Sequence, residues 1–200
     1  GDHRLAMALV VAGLVARGET VVEDDEQPHK AAIDKIPTLR PAFTKEGSIT
    51  AANASSISDG ASALILMAGS EAKTRGVEPM ARIVAHSRHS QEPGEFTIAP
   101  IGAVQKLLEK TGWSAESVDL FEINEAFAMV TMLAMQERGL DHARVNVHGG
   151  ACAQGHPIGS TGSRIIVSLM YALKKLGKSR GIAALCIGGG EATAVAIELS

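Results

Sequence analysis

Hydrophobic and polar positions change rhythm along this chain of 200 residues. From Met80 onward, short β-rich runs alternate with longer stretches whose apolar residues recur three and four apart. Residues 82–86 read as a strand, 100–110 as a helix closed by Gly112, 118–123 as a strand and 125–136 as a helix ending before Gly139. A short strand at 145–147 precedes a long helix at 158–176, stopped by Gly177. The runs 182–186 and 193–199 are strand-like and flank a glycine cluster. Helical spacing marks one buried face, and glycine after the last apolar residue marks a stop. Strands alternating with helices place the chain in the α/β class, and the closing hairpin makes the sheet mixed.

The first eighty residues are less regular. The longest apolar run, 5–16, has twelve residues, too short to span a bilayer, and reads as a buried helix capped by Asp2 and stopped by Gly18. Residues 23–35 are charged and contain Pro28, so they read as a linker or exposed arm. Residues 58–76 show helical spacing, with Ala61, Leu64, Ile65 and Ala68 on one face and Gly76 just past the end.

Composition narrows the function classes. The chain is 46% apolar and 20% charged, ordinary for a globular domain, and only 3% aromatic, so its core must be Ala, Val, Ile and Leu. A net charge of −3 gives no electrostatic reason to expect nucleic acid or an anionic membrane as partner. Two cysteines without a secretory signal predict free thiols in a reducing, cytoplasmic setting.

Candidate chemistry gathers at three strand-to-helix turns. GGACAQGHPIGSTG (149–162) and CIGGG (186–190) set His156 and Cys186 in glycine-rich backbone, where main-chain N–H groups can meet a developing negative charge. His156 precedes Pro157, which suits a first helical turn, and the positive end of the helix dipole favours a neutral imidazole. Such a ring, with Nε2–H aimed into a cavity, donates to an oxyanion or activates a thiol. Alone, His156 would be read as a cap or core residue, and Cys186 as a small buried hydrophobe. Asn124, in NEAF (124–127), would be an N-cap, and Ser55 part of a turn. His148, Cys152 and His156 fall four apart, but the intervening glycines and the lack of a fourth ligand argue against a metal site. No P-loop or dinucleotide fingerprint occurs.

NEAF, GHPIG and CIGGG, in this order and with DKIPTLRPAF (34–43) and ITAANASSISDGAS (49–62), resemble the C-terminal half of the thiolases, in the style of the acetyl-CoA C-acetyltransferases. Ketoacyl synthases carry a similar GHxxG turn, but NEAF and the CIGGG cysteine argue against them. The resemblance implies a thiolase-like layered α/β fold, the C-terminal half-domain being a five-stranded mixed sheet between helices. It implies Claisen condensation of two acetyl-CoA molecules to acetoacetyl-CoA, or thiolysis in reverse. His156 would form the nucleophilic thiolate and, with a water held by Asn124, polarise the thioester carbonyl. Cys186 would be the acid/base thiol, Gly188 would lend its N–H to a second oxyanion hole, and Ser55 would touch the pantetheine arm of coenzyme A. Coenzyme A thioesters would be substrates, with no tightly bound cofactor or metal, and the full-length family forms homo-oligomers.

Thiolases use a further, nucleophilic cysteine in the N-terminal half, and neither Cys152 nor Cys186 stands in its context. The expectation is therefore half a site, nearly inactive alone; the alternative is a non-catalytic fragment that binds coenzyme A or pairs with a partner half. Residues 1–24, GDHRLAMALVVAGLVARGETVVED, instead resemble a C-terminal segment of the enolpyruvylshikimate-phosphate synthases. The expected organisation is thus a foreign helix and strand (1–24), a remnant of the thiolase loop domain (25–57), a helix that packs on the N-terminal domain (58–77), and the C-terminal domain (78–200). With that N-terminal sheet absent, an apolar face is expected to lie exposed or under the foreign helix.

Overall fold

Side chains alternating to opposite faces of one sheet decide how the helices pack. The computed structural model describes residues 32–200, so the apolar helix and strand expected within 1–24 lie outside the described residues. The elements run α1 (Gly69–Arg75), β1 (Ala81–Ser90), α2 (Ala99–Thr111), β2 (Leu120–Ile123), α3 (Ala128–Arg138), α4 (Ala151–Gln154), α5 (Ile158–Leu176), β3 (Arg180–Gly188) and β4 (Glu191–Leu199). The strands order as β1-β4-β3-β2, with β4 antiparallel to both neighbours and β2 parallel to β3.

On one face Phe121, Ile123, Ile182, Ala184, Ala192, Ala194 and Ala196 meet Ala103, Val104 and Leu107 of α2 and Val130 of α3. On the other, Leu120, Ala183 and Ile197 meet Ile165, Leu169 and Leu173 of α5. Odd and even strand positions therefore build two cores, which is the period-two consequence of the pleat. Alanines on β3 and β4 let α2 approach the sheet closely. The prolonged apolar stripe of α5 ends at Gly177, whose φ of 63° closes the last turn.

Three sequence expectations change. The sheet has four strands among the described residues, not five: 145–147 forms only a single parallel bridge, Phe121↔Val145. Asn146 turns the chain away with φ 47°. Its side-chain amide replaces the ladder, Oδ1 accepting from Ile123 N–H at 2.8 Å and Nδ2 donating to Ile123 O at 2.9 Å. The helix read at 58–76 is confined to α1. Residues 57–68 have no helical turn; the Ser62 hydroxyl binds the Ser160 and Ser163 hydroxyls at 2.7 and 2.6 Å, and only Leu64 packs on the α5 core. Among the described residues nothing buries a whole helical face here, and Ile57 (85%) and Ile65 (89%) are exposed. Finally, α3 starts three residues later than its apolar pattern, because 126–128 pairs with 53–55 through Ser55 N–H→Ala126 O (3.3 Å) and Ala128 N–H→Asn53 O (2.9 Å).

No described helix is long and apolar enough to cross a membrane. Asn146→Ala removes the partner of Ile123 N–H at the edge of β2, while Ile123 O keeps the Thr131 hydroxyl. A loss of about 1–3 kcal/mol in urea unfolding is expected. An unchanged midpoint would show that the amide carries no structural weight.

Candidate active site

The parallel β2–β3 pair ends at one edge, and the catalytic candidates collect there. Ile123 lies in register with Ala184, and Asn124 N–H donates to Ala184 O at 2.9 Å. Cys186 is two residues further along β3, opposite Ala192 of β4. α5 leads back into β3, so it runs antiparallel to the strands and its first turn opens toward the same carboxyl edge. Open α/β sheets bind ligands at such edges. His156 stands just ahead of that turn, where its N–H donates to Ser56 O at 2.8 Å.

Histidine 156 is half-buried, with Nδ1 2.7 Å from Thr161 Oγ1. The Thr161 hydroxyl donates to Pro157 O at 3.0 Å, which uses its one hydrogen. With the hydroxyl hydrogen on Pro157 O, Nδ1–H of the neutral ring donates to Thr161, leaving a lone pair on Nε2. The neutral imidazole is thereby a base at Nε2, and becomes a donor there only after taking a proton; this refines the expected Nε2–H donor. Burial, then the Arg164 charge, lowers the His156 pKa and keeps the ring neutral.

Asn124 is 2% exposed, yet neither its Oδ1 nor its Nδ2 has a partner among the described residues. A buried unpaired amide costs about 1–3 kcal/mol, so this side chain calls for a partner beyond the described residues. Such orphaned atoms do not suit the N-cap reading, and α3 is in any case capped at Phe127.

The Cys186 thiol is buried, and burial pushes its pKa up. The strand bulges between Cys186 and Gly188, and Gly188, Gly189 and Gly190 take φ of 88°, 59° and 85°. At Gly190 a Cβ would overlap the Gln91 carbonyl, while Gln91 N–H donates to Gly190 O at 3.0 Å. The turn after β1 thus braces the glycine cluster. Ser55 is half-buried and its hydroxyl donates to Ala126 O at 3.0 Å. Only its lone pairs remain for a ligand, and its hydrogen holds the NEAF turn.

Several polar residues at this edge escaped the sequence reading. Glu125 accepts from Asn146 Nδ2 (2.9 Å) and from Cys152 N–H (3.0 Å). Arg164, 8% exposed, donates to Gln154 Oε1 at 2.9 Å, and Gln154 donates to His148 O at 2.8 Å. Glu122, 5% exposed, has its carboxyl pushed up to about 8 by burial, against the pull of Arg164 and with the push of Glu125. A glutamate inside the apolar strand LFEI and an arginine inside an apolar helix were the available signals. His148 and Cys152 make no ligand group with His156; among the described residues no cluster of three or more His, Cys, Asp or Glu could hold a metal.

Comparisons with known proteins place the chain in a family. The family model of the thiolase C-terminal domain matches residues 77–199, and that of the thiolase N-terminal domain matches residues 9–70. The chain belongs to the thiolase family. It is 48% identical over 192 residues to a probable acetyl-CoA acetyltransferase of Dictyostelium discoideum, covering 95% of this chain and 46% of that protein. The crystal structure of the Bacillus anthracis acetyl-CoA acetyltransferase superposes with a TM-score of 0.86 at 43% identity, over 100% of this chain and 54% of that one. A thiolase from Ascaris suum, in complex with coenzyme A, gives 0.80 at 41% identity over 90% of this chain and 47% of that one. The chain spans about half the length of the curated relatives it matches. The N-terminal match begins at residue 9, inside the stretch read as foreign, and none of these matches shows the enolpyruvylshikimate-phosphate synthase likeness of 1–24.

Glu122 sets a pH dependence. Its folded pKa, about 8, lies above the usual carboxyl value of 4.5, so the folded chain binds the extra proton between those limits and stability falls as pH rises across them. The urea midpoint should drop from pH 5 to pH 8, and drop less in Glu122→Gln. Equal slopes in both proteins would rule out Glu122 as the source.

Proposed function

We propose that this chain supplies His156, Cys186, Asn124 and Gly188 to an acetyl-CoA C-acetyltransferase, a thiolase acting on coenzyme A thioesters by condensation or thiolysis. The observation that carries the proposal is the orphaned, buried Asn124 amide beside the carboxyl ends of β2 and β3. That amide would hold a water which, with His156, faces the oxygen of a thioester carbonyl. His156 Nε2, unprotonated while Nδ1 is engaged by Thr161, would take the proton of a nucleophilic thiol and then donate from Nε2 to the oxyanion. Cys186 would give its thiol proton to the departing coenzyme A thiolate. As the thiolate so formed, it would remove a proton from the α-carbon of the second acetyl-CoA in condensation, the two transfers reversing in thiolysis, with the Gly188 N–H facing the enolate oxygen. Its raised thiol suits a group that is neutral between turnovers.

Cys152 is no substitute nucleophile, because its thiol is pushed up to about 12 by burial and by Glu125. These 200 residues alone should therefore turn over little. A second reading, a module that pairs with a complementary thiolase half, is favoured by the exposed Ile57, Ile65, Leu66 and Met67 along one segment and Ile158 at the start of α5. Both readings fit residues 25–57 as loop-domain remnant and 78–200 as C-terminal domain. We further place the protein in the cytoplasm, as free Cys152 and Cys186 suit a reducing compartment, and expect the whole protein to be a homo-oligomer that holds coenzyme A only as substrate.

The test is acetoacetyl-CoA cleavage with coenzyme A, by the purified chain alone and mixed with the N-terminal half of the Dictyostelium relative. Near-background turnover alone, restored in the mixture and lowered about 10²–10⁴-fold by His156→Ala or Cys186→Ala, is the expected result. Restored turnover that survives both substitutions would sink the site assignment. Absence of coenzyme A binding by calorimetry in a folded mixture would sink the reaction class.

A further inference from the structure

Glu125 touches more of the site's framework than any residue with a proposed chemical role. Its Oε1 accepts from Asn146 Nδ2 at 2.9 Å, and its Oε2 accepts from Cys152 N–H at 3.0 Å. Its own carbonyl oxygen lies 3.9 Å from Cys152 Sγ. Gly150 presses on the carboxyl so closely that a Cβ there would overlap it. Asn146 in turn grips both backbone polar groups of Ile123, the residue before Asn124. One carboxylate therefore joins the end of β2, the left-handed turn at Asn146 and the first turn of α4, four residues ahead of His156.

We propose that Glu125 is a positioning residue that ties the Asn124 turn to the loop carrying His156, and that the same carboxylate holds Cys152 as an unreactive thiol. The second half follows from the contacts of the first. An anion hydrogen-bonded to the Cys152 N–H sits against the position where a thiolate would form, and like charges at that range oppose each other. Burial acts first on Cys152, the charge and hydrogen bond of Glu125 next, and a backbone bond from Ala128 opposes them. The other charged groups around this carboxylate are Glu122 on β2 and Arg164 on α5. The value to the reaction is selectivity: a second free thiol in the His156 loop would compete for the acyl group of a thioester. That value rests on the thiolase reading above, whereas the contacts and their test do not.

Cys186→Ala leaves Cys152 as the one thiol of the chain, since the sequence has two cysteines. Its alkylation by iodoacetamide is measured from pH 7 to 11, with and without Glu125→Gln. Glu125→Gln keeps the shape, removes the charge and offers one acceptor oxygen for two donors. At pH 9 the Cys152 rate should rise about tenfold or more, as a fall of one pKa unit gives tenfold more thiolate. In the same variant, the Asn124 side-chain amide and the His156 ring should shift in NMR spectra. Both responses are required; either one missing in a protein folded by circular dichroism overturns the proposal. Where Glu125→Gln loses its fold, Glu125→Asp decides, because it keeps the charge on a shorter arm. Cys152 should then stay slow while the Asn124 and His156 signals move, and a fast Cys152 or unmoved signals in the folded Asp variant overturns the proposal. A folded mixture with the complementary N-terminal half that showed no thiolase turnover would refute the functional reading and leave this result standing, since neither readout uses substrate.

Discussion

The parallel register of β2 and β3 governs the site more than any single side chain. The bond from Asn124 N–H to Ala184 O ends the pairing at a defined level of the sheet. Above that level β2 gives way to the NEAF turn, while β3 continues to Cys186 and the glycine bulge. The crossover through α5 must return antiparallel to the strands, so the residue ahead of its first turn arrives at the same level. A one-residue slip of β2 would carry Phe121 and Ile123 from the α2 core to the α5 core and withdraw Asn124 from the edge. The hydrophobic alternation on both faces opposes that slip, so the site inherits its geometry from the two cores.

Polar groups then have to live inside that frame. Glu122, Arg164, Asn124 and Thr161 are all buried within or beside the helix and strand that make the edge. Among the described residues, Arg164 donates from Nη1 to Gln154 and leaves Nε unpaired, Thr161 bonds Pro157 and His156, and both polar atoms of the Asn124 amide lack a partner. The contrast is informative because buried polar atoms in native proteins are rarely left unpaired. Burial first, then the Arg164 charge, lowers the basicity of His156, while burial, opposed by Arg164 and helped by Glu125, raises that of Glu122.

Much of this was legible in the sequence, and the parts that were not have physical reasons. α2, α5 and the closing hairpin followed from apolar period and glycine stops, because their faces are buried by the chain itself. α5 matches its expected limits to the residue. The helix read at 58–76 failed over 58–68 because spacing reports only what a helix could bury, and among the described residues serine contacts with α5 and exposed isoleucines take the place of such burial. The fifth strand failed because a side-chain amide can imitate a ladder, which period-two patterning does not register. His156, Cys186, Asn124 and Gly188 stood out through glycine-rich turns and through their likeness to a known family. Glu125 and Arg164 did not, since a charged residue gives no sign in sequence of which backbone N–H or amide it will meet.

The Asn146 amide has one more effect, on what the sheet can join. β2 is an edge strand of only four residues, and its outer polar groups at Phe121 and Ile123 are already occupied by the chain around Val145 and Asn146. That side is closed to any incoming strand. The opposite edge is the ten-residue β1, which among the described residues has no neighbour beyond it. Arg82, paired with Glu198, and Arg88 stand exposed along it, and charged side chains of this kind discourage strand addition by their solvation. Among the described residues, growth of this sheet, into a fibril as much as into an assembly, therefore has one direction available, and that direction is guarded by two arginines.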